Sequence, residues 1–551
     1  MKKMKKNLLL IFVIISTSSI IAQVSFTNRN DLIGDYESNT SITVDMNGDY
    51  LDDFVRVSGN GVGIDYQQED GSFESVFIGM PIQWIPDWSA AAADIDGNGY
   101  TDLLLGNGQR ASFLFANDDG TAFTEQLFSD LYIFSQRTNF VDIDNDGDLD
   151  AFICHDVDGN HAYRNDGNQN MVLDFDLIQT LDLAGNYASL WVDYDNDGDT
   201  DMHLTKCRQG SSPGDPERTN AMYRNNGDGT YTEVAESLGI ADNEQSWATV
   251  WQDFDNDGDF DAFCVNHSDA NRFYENDGNG GFNDIIESTG INPTDLGAWE
   301  NHGADFNNDG YIDILSEMAR ELYMNNGDMT FTGFDLPFDE GAVGDFNGDG
   351  YLDVGRSGNL WMNDGGTNNW VKFVLEGVES NSHGIGAKIT INGDWGSQIR
   401  EIRSGTGYSH MSSLIAHFGI GTSTEIESVL IEWPSGTVDF IENVDINTQH
   451  IFVEGENLGG SDFEFEQVNL YPNPTTSILN FSKNNIEGTT VRVIDSNGKI
   501  ILNTTISSNN SINVESLSSG IYFVQLEVEN RKVSYKSVSY THLTLPTICS
   551  V

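Results

Sequence analysis

Short apolar runs of four or five residues recur along residues 23–366, each broken by acidic, glycine-bearing turns. ASLWV (188–192) and ATVWQ (248–252) are typical. Such runs lack the 3.6-residue spacing of an amphipathic helix and predict strands. Each leads into an acidic loop, and a second apolar run and a polar connection follow. A third run then ends in Asn-Asp-Gly or Asn-Asn-Gly: NHAYRNDG from Asn160, NAMYRNNG from Asn220, NRFYENDG from Asn271, RELYMNNG from Arg320 and NLWMNDG from Asn359. Those turn residues tolerate positive φ and predict a tight hairpin into a fourth strand, as in GTAFTE, GTYTEV and GGFNDI. Four short strands per unit of about fifty residues is the pattern of a propeller blade, and the repetition predicts a ring. VSFTNR (24–29) has the outer-strand pattern that the last unit lacks after Trp361, so it is expected to close the ring.

The acidic loops set the number of units at seven. They begin at Asp45, Asp94, Asp142, Asp193, Asp253, Asp305 and Asp345, between 40 and 60 positions apart. Calcium takes six to eight oxygen donors in a flexible shell. Asp or Asn at positions 1, 3 and 5 turns three short side chains inward. Gly at position 6 permits the reversal that brings the carbonyl of position 7 and the carboxylate of position 9 onto the ion. The expected side-chain ligands are Asp45, Asn47, Asp49 and Asp53; Asp94, Asp96, Asn98 and Asp102; Asp142, Asp144, Asp146 and Asp150; Asp193, Asp195, Asp197 and Asp201; Asp253, Asp255, Asp257 and Asp261; Asp305, Asn307, Asp309 and Asp313; and Asp345, Asn347, Asp349 and Asp353. An EF-hand shares this opening but closes with Glu at position 12, so helix-loop-helix is the wrong context. Magnesium, which keeps its waters, fits less well. Up to seven calcium ions are expected. In the first loop Tyr50 stands at the glycine position, where a positive φ would be strained.

With 87 acidic and 26 basic residues the formal charge is −61, and seven divalent ions would offset only a small part of it. That field excludes nucleic acid as a partner. Lysines at 2, 3, 5 and 6 precede an apolar run from Leu8 to Ile15 and then Ala22, which predicts a signal peptide over 1–22; no other stretch reads as a transmembrane segment. Cys154, Cys207 and Cys264 fall in units three, four and five; Cys154–Cys207 is the expected pair if a disulfide forms, with buried free thiols as the alternative.

The D-x-D/N-x-D/N-G-x-x-D units resemble FG-GAP or VCBS propeller repeats. SHGIGAKITI (382–391), REIRSGTGYSHMSS (400–413), HFGIG (417–421) and IEWPSGTV (431–438) are similar to the ASPIC/UnbV domain, and the combination suggests the cartilage-acidic-protein-like family. VNLYPNPTTSILNF (468–481), with Pro472 and Pro474, the turn at Asn497–Gly498 and LSSGIYFV (517–524) resemble a type IX secretion sorting domain. The resemblance implies an all-β chain: a seven-bladed propeller over 23–366, a small β-rich ASPIC/UnbV domain over 367–455, a linker over 456–466 and an Ig-like sandwich over 467–537. It also implies passage through the type IX machinery of a Gram-negative bacterium to the surface or medium. Residues 538–551 break the pattern and are read as non-native.

The connections between second and third strands should share the face opposite the calcium loops. Those connections hold Arg56, Arg110, His155, Arg208, His267, Arg320 and Arg356, one per unit, which are read as a partial ring for an extracellular ligand, an anionic or carboxylate-bearing glycan or an acidic protein. Trp191, Trp247, Trp251 and Trp299 flank the loop-bound strands and are expected mainly to pack between blades, with one or two free to stack on sugar. Arg400, Arg403 and His417 are further binding candidates. His155, Asp156, His161 and His267 are the nearest approach to an acid–base cluster, and no nucleophile elbow, zincin or P-loop motif is present. The sequence therefore favours a calcium-binding adhesion or recognition module. A calcium-dependent polysaccharide lyase acting on acidic sugars and a structural matrix component are the alternatives.

Overall fold

The computed structural model describes residues 24–457, apart from 37, 39, 168–169, 182, 268, 279, 295–298 and 317–319, and the greater part of 470–539. The expected signal peptide, most of the linker, Pro472, Pro474, Asn497–Gly498 and residues 540–551 lie outside the described residues.

Seven sheets follow one another through residues 26–363, antiparallel and with neighbouring strands adjacent in sequence except where Phe26–Asn28 joins the last and a later strand joins the first. In the second, Ser89–Ala93, Asp102–Gly106, Ala111–Ala116 and Phe123–Gln126 lie side by side. The first strand of a blade is squeezed between its neighbours, and SAAAA is buried at every position. The fourth strand meets solvent on one side, and FESVFIG (73–79) alternates accordingly. Phe26–Asn28 pairs antiparallel with Trp361–Asn363, so the N-terminal strand completes the seventh sheet as expected. Two single-turn helices that the apolar pattern did not reveal, Ala235–Leu238 and Ile286–Thr289, follow the fourth strands of blades four and five. Each stops at a left-handed glycine, Gly239 (φ 82°) or Gly290 (φ 79°).

Residues 369–453 form two further sheets. One is ordered Ala416–Gly421, Asn369–Glu376, Gln449–Val453, and the other Gly396–Glu401, Lys388–Gly393, Ile426–Glu432, Val438–Val444. Their core is continuous with that of the first blades: Ile42, Leu104 and Phe140 join one apolar cluster with Met411, Phe418 and Ile389. The sorting module has a three-stranded and a four-stranded sheet. Its last strand, Arg531–Ser539, pairs along its length with Gly520–Val528 and so runs two residues past the expected end at 537.

The cysteine pairing is corrected. Cys154, Cys207 and Cys264 are buried free thiols. Each is occupied locally: Cys154 with the Ser189 hydroxyl (3.3 Å), Cys207 accepting from Trp247 Nε1 (3.2 Å) and Cys264 from Asn220 Nδ2 (3.6 Å).

Candidate metal centre

Every acidic loop joins the first and second strands of its blade, and all seven wrap in one way. The carboxylate at position 1 accepts the N–H of position 5 on one oxygen. Its other oxygen accepts the N–H of position 6. The side chain at position 5 accepts the N–H of position 7. Backbone donors thus turn the acidic side chains into a common hollow. Position 6 has positive φ throughout, from Tyr50 (66°) to Gly310 (98°). Tyr50 therefore carries the strain that the sequence foresaw, and its hydroxyl is tied to Glu376 of the second module.

Position 4 is also left-handed, a requirement the sequence reading overlooked. Asn145, Asn196, Asn256 and Asn308 lie at φ 57–61°, and Gly48, Gly97 and Gly348 at 70–77°. The restriction of this position to Asn and Gly was the available signal, since both tolerate that backbone. The asparagine amide also reaches the next blade. Asn196 donates to Gly258 O (3.1 Å), Asn256 to Gly310 O (3.1 Å) and Asn308 to Gly350 O (2.9 Å).

The aspartate at position 9 opens the second strand and is buried in every blade. One of its oxygens accepts the N–H of position 2, and the other the last N–H of the third strand. In four blades that last residue is an asparagine whose amide reaches back to the preceding loop: Asn165 to Ile95 O, Asn276 to Tyr194 O, Asn325 to Phe254 O and Asn363 to Phe306 O. These asparagines signal a hairpin in the sequence, but in the fold they also belt the loops together.

The donor set suits a hard cation. Asp94, Asp96 and Asp102, then Asp142, Asp144 and Asp146, then Asp193, Asp195 and Asp197, and finally Asp253, Asp255 and Asp261 each bring three carboxylate oxygens within 4.8 Å of one another. Blades one, six and seven carry Asn47, Asn307 and Asn347 at position 3. Burial, with neighbouring aspartates adding to it and backbone hydrogen bonds opposing it, raises Asp102 and Asp150 to about 8. Burial, then Asp257 and Asp255, does the same to Asp253. So crowded a group is costly when ionised and unpaired, and a divalent cation among the oxygens would supply the missing counter-charge. In the third blade Arg164 already lies against Asp144.

The second module covers this loop face, which the sequence alone did not place. Lys372 Nζ donates to Asp345 (2.8 Å), and Lys388 Nζ to Asp193 (3.1 Å) and Asn196 (2.9 Å). Burial lowers Arg400, while Asp305 and Asp253 pull it back up. His417 Nε2 lies 3.0 Å from Gly350 O, and Arg403 donates to Trp251 O at 2.7 Å. Arg403 and His417 are therefore docking residues here, while Arg400 is hydrogen-bonded within its own module to Ile399 O and Gln398 and feels the charge of the loop aspartates. Further bonds reach the loops from Gln449 to Tyr50 O, Asn368 to Asn307 O and Gly421 N to Asn308 O.

Residues 403–413 run along the first strands of successive blades. Ser404 Oγ donates to Ala92 O, and the carbonyls of Ser404 and Gly405 accept from Asn139. Tyr408 Oη donates to Trp247 O (2.7 Å), Ser409 N to Trp88 O, and Ser413 N to Val343 O. His410–Met411 then pairs parallel with Ser41–Ile42 as a fifth strand of the first sheet. Contacts to the first strands of blades one, two, three, five and seven mean that this segment occupies the axis of the ring. Among them lies a buried pair, Arg137 with Glu300, under the Tyr408 ring, which Arg137 approaches to 4.7 Å.

The seven cationic and imidazole candidates each have local partners. Arg56 is buried against Asp65, and Arg110 sits over Trp84 at 5.5 Å. His155 is buried, with its Nδ1 accepting from Phe134 N and Val157 N. Arg208 faces Asp156 and Glu217, Arg320 faces Asp339 (2.5 Å), and Arg356 faces Glu340 (3.3 Å). His267 stacks on Trp247 at 4.5 Å. In so acidic a chain each arginine finds a carboxylate nearby or an aromatic ring. Trp191 and Trp251 are packed between strands, whereas Trp247 and Trp299 meet at 5.2 Å with Trp299 39 % exposed. His155 and His161 adjoin, but His267 is elsewhere, so no single acid–base cluster forms.

Residues 94–153, 193–264 and 253–316 match the FG-GAP-like repeat, 377–458 match ASPIC and UnbV, and 469–539 match the secretion system C-terminal sorting domain. Cartilage acidic protein 1 of Homo sapiens is 26% identical over 250 residues, which is 39% of this chain and 37% of that protein. The Xenopus tropicalis protein is 25% identical over 486 residues, covering 73% of this chain and 72% of its own. The chain thus spans little more than a third of the human relative. Among solved structures, an Agrocybe aegerita lectin that recognises non-reducing terminal N-acetylglucosamine is 16% identical (57% of this chain, 82% of that one, TM-score 0.39). The V. cholerae biofilm matrix protein Bap1 is 11% identical (92% and 80%, TM-score 0.30). The sorting domain indicates type IX secretion to the cell surface or beyond, and no helix among the described residues is long and apolar enough to cross a membrane. This chain is a distant relative of cartilage acidic protein 1 that carries FG-GAP-like repeats, an ASPIC and UnbV module and a type IX sorting domain.

Proposed function

We propose that the chain is an exported recognition protein whose repeats are locked by calcium on one face and bind a surface glycan or protein with the other. One observation carries this reading: the ASPIC/UnbV module lies on the aspartate loops and fills the axis, which leaves the opposite face as the broad surface for a partner. Calcium is the favoured ion because the donors are all oxygen and the loop supplies carboxylates and a carbonyl in a flexible turn. Positions 1, 3, 5 and 9 would hold it with the carbonyl of position 7, and the bound charge would relieve repulsion among the aspartates. The cations at 372, 388 and 400 approach the same loops, so ion binding and module docking are expected to be coupled.

The test is metal content by mass spectrometry of the purified full chain, together with its binding to a glycan and protein array in calcium and in EGTA. Several bound calcium ions, and array binding lost in EGTA, are expected. A chain that carries no divalent ion at millimolar calcium, or binds nothing on the array, would overturn the reading.

A further inference from the structure

On the face opposite the aspartate loops, three connections of the third blade converge around a cavity of about 590 Å³. Its walls come from Leu131 and Tyr132, which precede the blade's first strand, and from Phe175, which follows its fourth. These side chains are 51, 50 and 55 % exposed, an unusual density of apolar surface in so polar a chain. The polar lining is of another kind: His161, Asp158, Asn160 and Thr180. His161 is 4 % exposed, and its Nδ1 is buried without a hydrogen-bond partner among the described residues. A buried polar atom left in that state is costly unless something else meets it. The aromatic walls are braced from behind. His155 and His161 stand edge-on at 5.8 Å, Tyr132 is 5.6 Å from His155, and Phe175 is 5.6 Å from His161.

We propose that this cavity is a binding site for a neutral pyranose unit of a glycan. A sugar ring has an apolar C–H face that stacks on exposed aromatic side chains and a rim of hydroxyls that needs directional partners. The cavity offers both, and its size lies within the usual range for small ligands. Its lining includes no lysine or arginine, and the chain's charge of −61 opposes an anionic ligand, so uronic acids and sulfated sugars are disfavoured. Burial also lowers His161, to about 4, so the imidazole is a neutral partner at physiological pH. None of the cationic candidates at 110, 208, 320 and 356 that the sequence suggested lines the site. This inference rests on the recognition reading above and gives it a location and a ligand class.

The experiment is calorimetric titration of the full chain, in calcium, with methyl glycosides of glucose, galactose, mannose and N-acetylglucosamine. Galacturonate oligomers and tetramethylammonium serve as charged comparisons. At least one neutral glycoside should saturate at millimolar concentration or below. Phe175→Ala and Asp158→Asn should each weaken it tenfold or more, with the melting temperature in calcium unchanged. Saturation only by galacturonate or tetramethylammonium would overturn the ligand class. Undiminished neutral-sugar binding in both variants would overturn the location while the recognition reading stood. If no glycoside binds but the full chain still binds on the array, the sugar site falls alone; if the array is blank as well, both fall.

Discussion

On the loop face of the propeller, Lys372, Lys388 and Arg400 enter from a second module and meet aspartates of blades four to seven. On the opposite face, Arg208, Arg320 and Arg356 pair with acids of their own or adjoining connections, and aromatic side chains such as Phe175 and Trp299 reach the surface. The same repeat therefore presents two chemistries. Where the loops gather negative charge, the fold brings in cations and order. Where the connections vary from blade to blade, it leaves shape and apolar surface. A repeat fixed on one side and free on the other suits a protein that must hold its form outside the cell and still diversify its contacts.

Removing calcium should break that contrast most severely. At a hundredfold excess over Kd each site contributes about 2.7 kcal/mol, so EGTA should lower the melting temperature by roughly 10 °C or more, read by calorimetry. The pH dependence should sharpen the result. Burial raises Asp142 to about 6 and, with Asp309 adding to it, Asp305 to about 7; Asp102 and Asp150 reach about 8. Folded values above the unfolded ones mean stability that is fully present below about pH 4 and lost progressively as pH rises from there through 6 to 8. The chelated chain should lose stability over that window, and the calcium-loaded chain should not. Next in size is the axial pair. Arg137→Met removes the cation facing buried Glu300 and should cost about 3–5 kcal/mol in denaturant unfolding, with much of it restored by adding Glu300→Gln. Gly258→Ala, at φ 95°, should cost about 1–3 kcal/mol. Tyr50→Gly trades relief of a strained φ for loss of the bond to Glu376 and should change stability by no more than about 1 kcal/mol. The smallest effect belongs to the free face: Phe175→Ala should stay within about 0.5 kcal/mol of the parent.

Much of the ring was legible because its signals are local. Loop spacing, the Asn-Gly hairpins and the outer-strand pattern of 24–29 each depend on neighbours along the chain, and Phe26–Asn28 takes the place its pattern required. The site was legible only in part. Positions 1, 5 and 9 accept turn-forming backbone N–H groups in all seven loops, but the left-handed Asn or Gly at position 4 and the belt of third-strand asparagines emerge only when blades stand side by side. The local partners of the Arg and His candidates were not legible, because one cation per unit says nothing of its neighbours. Arg56 is taken by Asp65, nine residues on, and Arg356 by Glu340, sixteen residues back. The RSGTGYSHMSS motif identified its module without revealing that it lies along the axis, since its partners, Trp88, Asn139 and Trp247, are some 150 to 320 residues away in sequence.

The central claim is that ions in the aspartate loops hold the second module on the propeller. Hydrogen exchange of the axial segment, residues 403–413, measures this directly in the full chain. Its amides should be strongly protected in calcium and exchange many times faster in EGTA, before the blade strands open. Equal protection with and without calcium would contradict the account.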